Sequence, residues 1–215
     1  MNGFEELMSE IINNKYNEVM ARNSETGPFD KIKQFEGNAV GQIGEEFVKR
    51  AFVESGIIID NESNTIHDEY DVKIGGTKIE VKTARKGIND TFQFNGINPI
   101  YNVRYIILIG ISASKIYCKV LEKAWLRYEH HQQSYYFNID GRDFKLVPMN
   151  PGNAVNYKLT LNVKYLDDIS KFNVHKISIC ERQNHSSVST AAKPPFRAIF
   201  TLIFCPLLTC FSFLM

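Results

Sequence analysis

Asp71, Glu80 and Lys82 stand in the stretch "YDVKIGGTKIEVKTA", residues 70–84, where they interrupt an apolar alternation of Val72, Ile74, Ile79 and Val81. Gly75-Gly76 between two strand-like runs specifies a two-residue hairpin turn of the primed type. Such a turn pairs Ile74 with Thr77, Lys73 with Lys78, Val72 with Ile79, and Asp71 with Glu80. Side chains alternate faces along a strand, so Asp71, Glu80 and Lys82 are expected on one side and the four aliphatic residues in the core. Two directly opposed carboxylates destabilise a strand pair by up to about 1 kcal/mol unless something positive sits between them. A divalent cation would serve. One or two carboxylates with several retained waters describe a Mg²⁺ site, and no imidazole or thiolate lies in the segment to favour zinc. Lys82, two residues from Glu80, reaches the ion's water shell, where an ammonium can position a water, help remove its proton or balance charge on a phosphate.

Other polar residues gather around this hairpin. Lys73, Lys78, Lys82, Arg85 and Lys86 fall within fourteen residues of one another, a local basic surface on a chain whose net charge is only +1. Downstream, "TARKGINDTFQFNGINP" supplies Arg85 and Lys86 as candidate phosphate contacts and Gln93 and Asn95 as candidate base-edge readers. Gln93, between Phe92 and Phe94, faces away from both if this is a strand. The five histidines have no spacing that implies zinc, and Trp125 reads as a core or rim aromatic.

These residues need a scaffold, and 215 residues at 44% hydrophobic suffice for one substantial core. Phe4, Leu7, Met8, Ile11, Ile12, Val19 and Met20 recur at helical spacing, which predicts an N-terminal amphipathic helix over 4 to about 22 within a helical element spanning 1–30. A second helix is expected across "NAVGQIGEEFVKRAFVES", closed by Gly56, with an apolar face of Val40, Ile43, Phe47, Val48, Ala51 and Phe52. On a helical wheel Glu45 and Glu46 lie on opposite rims of that face, and the wheel does not choose between them. Ile57 to Ile59 suits a first strand, "RYIILIGIS" a central one, and "FKLVP" and "YKLTLNV" later ones, while "KIYCKVLEKAWLRYEHH" moves from strand into helix. The class is α/β or α+β, with a central mixed sheet.

Four scattered cysteines without a CxxC pair and an acidic N-terminus point to a cytoplasmic, reducing setting. Residues 1–182 read as one domain and 183–197 as linker. The eighteen uncharged residues 198–215 could form a short membrane anchor or be a segment foreign to the domain; Pro206, near their middle, favours the second.

The hairpin resembles the core motif of the PD-(D/E)xK, or restriction-endonuclease-like, nuclease superfamily: an acid, a turn of roughly ten residues, then Glu or Asp, an apolar residue and Lys. Here it reads Asp71, then Glu80-Val81-Lys82, with Tyr70 where a proline often precedes the acid. "GQIGEEFVKRAFVESG", Gly41 to Gly56, is similar to the helix G-x-x-G-E-x-x-V-x-x-x-F-x-x-x-G of Holliday-junction-resolvase-like and Mrr-like branches. The resemblance implies an α/β restriction-endonuclease-like core, a central mixed sheet flanked by α-helices. It implies Mg²⁺ held by Asp71, Glu80, the Val81 backbone carbonyl and Glu45, with Asp71, Glu80, Lys82 and Glu45 as the catalytic set. A compact chain of this kind is expected to be a type II restriction endonuclease. It would cut double-stranded DNA as a homodimer and be paired with a DNA methyltransferase. A repair or junction nuclease, a non-catalytic nucleic-acid-binding module and a membrane-tethered interaction protein are the alternatives.

Overall fold

The computed structural model describes residues 26–60, 69–150 and 155–177, together with positions 11 and 17. The expected N-terminal helix therefore lies almost wholly outside the described residues, although Ile11 and Asn17 are both helical. Residues 183–197 and 198–215 also lie outside them. Among the described residues no helix is long and apolar enough to cross a membrane.

Helix α1 spans Gly37–Glu54. It ends as its composition dictates: Gly56 takes φ 75°, its N–H bonds the Val53 carbonyl at 2.9 Å, and the Ile57 N–H bonds the Phe52 carbonyl at 3.0 Å. Its buried stripe is Val40, Gly44, Val48 and Phe52, one residue per turn. Ile43, expected in the apolar face, is exposed, because the contact with the sheet is a narrow seam.

Strands β1 (Val72–Ile74) and β2 (Thr77–Arg85) form the expected hairpin, with Gly75 and Gly76 at φ 52° and 92°. The register pairs Val72 with Ile79, Lys73 with Lys78 and Ile74 with Thr77. The chain continues through β3 (Thr91–Ile97), β4 (Tyr105–Ile111) and β5 (Ile116–Glu122). After a short 3₁₀ turn come β6 (Leu126–Glu129), β7 (Ser134–Ile139), β8 (Arg142–Lys145), β9 (Val147–Pro148), β10 (Tyr157–Asn162) and β11 (Asp167–Asp168). The central sheet runs β1-β2-β4-β5-β11, parallel between β2 and β4 and antiparallel elsewhere, so the fold is α/β with a central mixed sheet. Every residue of β4 is buried, as its unbroken apolar run requires.

Two expectations fail. Ile57 to Ile59 is not a strand; a single ladder bond joins Asp60 N–H to Lys73 O, and Ile58 is 85% exposed. The helix expected after β5 is replaced by β6, because antiparallel pairing with β7 supplies its backbone partners.

The faces of the central sheet are covered differently. Ile79, Val81, Tyr105, Ile107, Ile109 and Ile111 pack with Val40, Val48 and Phe52 of α1. On the opposite face Ala84, Ile106, Leu108 and Leu121 meet Phe92, Phe94 and Ile97 of β3 and Leu159 and Leu161 of β10. The cover on this second face is thus made by antiparallel strands, the sheet β3-β10-β9 together with Phe137 and Ile139 of β7 from the sheet β6-β7-β8, where flanking helices were expected.

Candidate active site

Nine residues of β2 lie beside only three of β1, and this inequality makes the site. On the β1 side, among the described residues, β2 has no strand partner past Ile79. Asp71 sits in a bend, donates its N–H to the Ile79 carbonyl at 3.0 Å, and accepts the Val81 N–H on Oδ2 at 2.6 Å. A carboxylate oxygen thus replaces the missing strand at Val81. In an extended strand the N–H and C=O of one residue point the same way, so the Val81 carbonyl also faces this open edge.

Along that edge runs a cleft of about 920 Å³. The first half of α1 forms one wall with Gly37, Asn38, Gly41 and Glu45; β2 from Val81 to Arg85 forms the floor; Gln93, Asn95 and Gly96 of β3 form the other wall. Lys82 lies under β3 at Gly96, where an added Cβ would stand 3.9 Å from its Nζ.

Glu80 is on the face of β2 that β3 covers and is 3% exposed. Lys82 Nζ contacts its Oε1 at 2.8 Å, while Oε2 is buried without a hydrogen-bond partner among the described residues. Burial pushes the Glu80 pKa up; the charge and hydrogen bond of Lys82 pull it down, Asp71 pushes it up and Lys123 pulls it down, and the net shift is upward. Glu45 is half-buried and its pKa is also raised, first by burial and then by the charge of Asp71, against the pull of Lys49 and Lys82. Glu45 therefore feels both Asp71 and Lys82. Glu46 is exposed and paired with Arg50 Nε at 2.6 Å, which identifies Glu45 as the acid that faces the hairpin.

The expected face-to-face opposition of Asp71 and Glu80 is modified. Asp71 leaves the ladder to cap an amide, and Lys82 supplies the positive charge beside Glu80. Among the described residues no three His, Cys, Asp or Glu side chains gather closely enough to hold a metal ion by themselves. The donor chemistry nonetheless fits a Mg²⁺ that keeps most of its waters: two carboxylates, a carbonyl on an unpaired strand edge, and an orphaned buried oxygen at Glu80.

Arg85, Lys86, Gln93 and Asn95 all line the cleft. Arg85 donates to the Lys33 carbonyl at 2.9 Å, Lys86 pairs with Asp90 at 3.0 Å, and Gln93 Nε2 donates to Asn95 Oδ1 at 3.0 Å. Gln93 and Asn95 are exposed while Phe92 and Phe94 are fully buried, the alternation expected of a strand. Lys123 was missed. Its ammonium donates to the Asn98 and Tyr101 carbonyls, both at 3.2 Å; burial lowers its pKa and the charge of Glu80 works against that. It follows Leu121 by two positions, so a correct end to β5 would have placed it on the face of Glu80.

Neither protein-family models nor curated proteins give a match to this chain.

Proposed function

We propose that this protein is a Mg²⁺-dependent endodeoxyribonuclease with a restriction-endonuclease-like core, acting as a type II restriction endonuclease. One observation carries the reading: Glu45 of α1 and Val81 and Lys82 of the hairpin line one cleft walled by cations and amides, with Asp71 bonded to the Val81 amide and Glu80 paired with Lys82 beside it. Asp71, Glu80, the Val81 carbonyl and Glu45 would hold the ion, with water completing its coordination. Bound there, Mg²⁺ supplies Lewis-acid polarisation of a phosphoryl oxygen and acidifies the attacking water.

The protein's own groups do the rest. Lys82, held against Glu80, orients that water and offsets the negative charge that builds on the phosphoryl oxygens. Arg85 and Lys86, with Lys33 at the same wall, keep flanking phosphates in the cleft. The amides of Gln93 and Asn95 present donors and acceptors to base edges, the chemistry that distinguishes a sequence reader from a shape reader.

The test is digestion of plasmid DNA with Mg²⁺ by the full-length protein. Discrete fragments, lost when a partner methyltransferase has modified the site, are expected. A smear without fixed ends, or preference for four-way junctions over duplex, would move the protein to the repair alternative. DNA binding with no cleavage by the purified protein would leave only a binding module.

A further inference from the structure

We propose that Gly44 is a positioning residue for Glu45, fixing how closely α1 approaches β2 through its contact with Thr83. The proposal rests on the nuclease reading above and extends it to a residue with no chemistry of its own.

Glycine inside a helix costs about 1 kcal/mol relative to alanine, so its presence asks for a reason. Of the three glycines in α1, Gly37 and Gly41 have nothing among the described residues within 4 Å of an added Cβ. Gly44 is different. A Cβ there would stand 1.8 Å from Thr83 Oγ1, 2.8 Å from Thr83 Cβ and 2.9 Å from Thr83 Cγ2. Turning Thr83 about χ1 gives no escape, because its Cβ stays in place and every heavy atom of the side chain lies inside 3.0 Å. The helix would have to withdraw by more than ~1 Å, since interiors at close-packed density transmit such displacement.

Withdrawal falls on the functional residues at once. Glu45 is the next residue on α1, and Thr83 is the residue after Lys82. Glu45 and Thr83 line the same cleft, and the charge of Glu45 is already coupled to Asp71 and Lys82. The Gly44–Thr83 contact therefore sets the distance between the helix acid and the hairpin. A misplacement of about 1 Å typically costs on the order of 10²-fold in rate.

The experiment uses the full-length protein, with cleavage rate and the Mg²⁺ concentration for half-maximal cleavage read at saturating DNA, and Mg²⁺ affinity read by calorimetry. Gly44→Ala should keep a cooperative thermal transition, lose about 10²-fold in kcat and need more Mg²⁺. Gly44→Ala/Thr83→Gly, which removes Cβ together with Oγ1 and Cγ2, should recover most of the loss. Glu45→Gln should lose activity alone, and Gly44→Ala added to it should cost less than about 2-fold more, because the two act through one group. Wild-type rate and Mg²⁺ demand in Gly44→Ala, no recovery in the pair, or additive losses in Gly44→Ala/Glu45→Gln would each overturn the proposal. So would failure of both Gly44 variants to fold, which would make Gly44 a residue of the fold alone. If the wild type shows no Mg²⁺-dependent cleavage, the nuclease reading falls and takes this inference with it; a cleaving wild type with an indifferent Gly44→Ala removes the inference alone.

Discussion

Two lysines on the same face of the central sheet, Lys82 on β2 and Lys119 on β5, keep opposite kinds of company. Lys119 Nζ reaches Asp140 at 2.9 Å and Asp167 at 3.4 Å, and both acids are well exposed, at 60% and 44%. Burial alone would lower its pKa, but the hydrogen bonds and charges of Asp140 and Asp167 outweigh it and the net shift is upward. One partly buried cation faces two hydrated anions, and the charge is over-matched. At Lys82 the anion is the buried partner: Glu80 has 4% of its side chain exposed, one oxygen has no hydrogen-bond partner among the described residues, and its pKa stays raised despite the adjacent ammonium. A pair that serves only to hold strands together has no reason to leave a buried carboxylate oxygen unmatched. The difference is the one the proposed function expects: an ion cluster with hydrated partners on β5, and on β2 a buried pair whose remaining oxygen a ligand would match.

The largest effect expected from this contrast is on cleavage. Lys82→Met should lower the Mg²⁺-dependent rate by about 10²- to 10⁴-fold with the thermal transition preserved, the scale of a group that orients or deprotonates a nucleophile. Lys119→Met should leave the rate unchanged. Near-normal cutting by Lys82→Met in a plasmid assay would erase the distinction between the two lysines.

Asp71 comes next, because the proposed function gives it a second place beside its structural one. Asp71→Ala should abolish cleavage and also cost about 1–3 kcal/mol of stability, since the partly buried Val81 N–H loses its acceptor. Asp71→Asn retains an oxygen for that amide, so it should lose cleavage with most of the stability kept. Equal melting temperatures for the Ala variant and wild type would show that the amide finds water instead.

Much of this arrangement was legible in the sequence. The hairpin register follows from Gly75-Gly76, whose positive φ values few other residue pairs tolerate, and β4 from an apolar run too long to face water. Glu45 was readable as a rim acid and the resemblance chose it over Glu46; the structure separates the two by the Arg50 partner of Glu46 and the place of Glu45 in the cleft. What escaped depends on tertiary neighbours. The β6 segment has no local reason to be extended until β7 pairs with it. Ile57 to Ile59 has strand composition but no adjacent edge, beyond one bond to Lys73, to pair with. The early end of β1, which turns Asp71 into a cap, has no signature in Asp71 or its neighbours, and the burial of Glu80 depends on tertiary packing over its face of β2.

The smaller effects concern stability against pH, and they separate the two clusters by sign. Glu80 has a raised pKa in the fold, so below the ordinary carboxylate range, about 4.3, it is protonated folded or unfolded and contributes nothing. As pH rises from there through the raised folded value, the unfolded chain ionises more readily and stability is lost. In metal-free buffer Glu80→Gln should therefore melt above wild type at pH 8, and the gap should close toward pH 4. Lys119 runs the other way. Its folded pKa is raised, so its contribution is complete below the ordinary lysine value, about 10.4, and is lost only as pH climbs through the folded value. Lys119→Met should melt below wild type by no more than roughly 2–4 °C, or about 1 kcal/mol, because the acids it leaves behind are hydrated. That deficit should stay flat between pH 6 and pH 9, where the Glu80→Gln advantage is fully developed or still growing. Thermal melts of both variants across this range decide the matter: a Glu80→Gln gap that widened toward acid would mean that Lys82 over-compensates the burial of Glu80, and the carboxylate would then be as fully matched as those around Lys119.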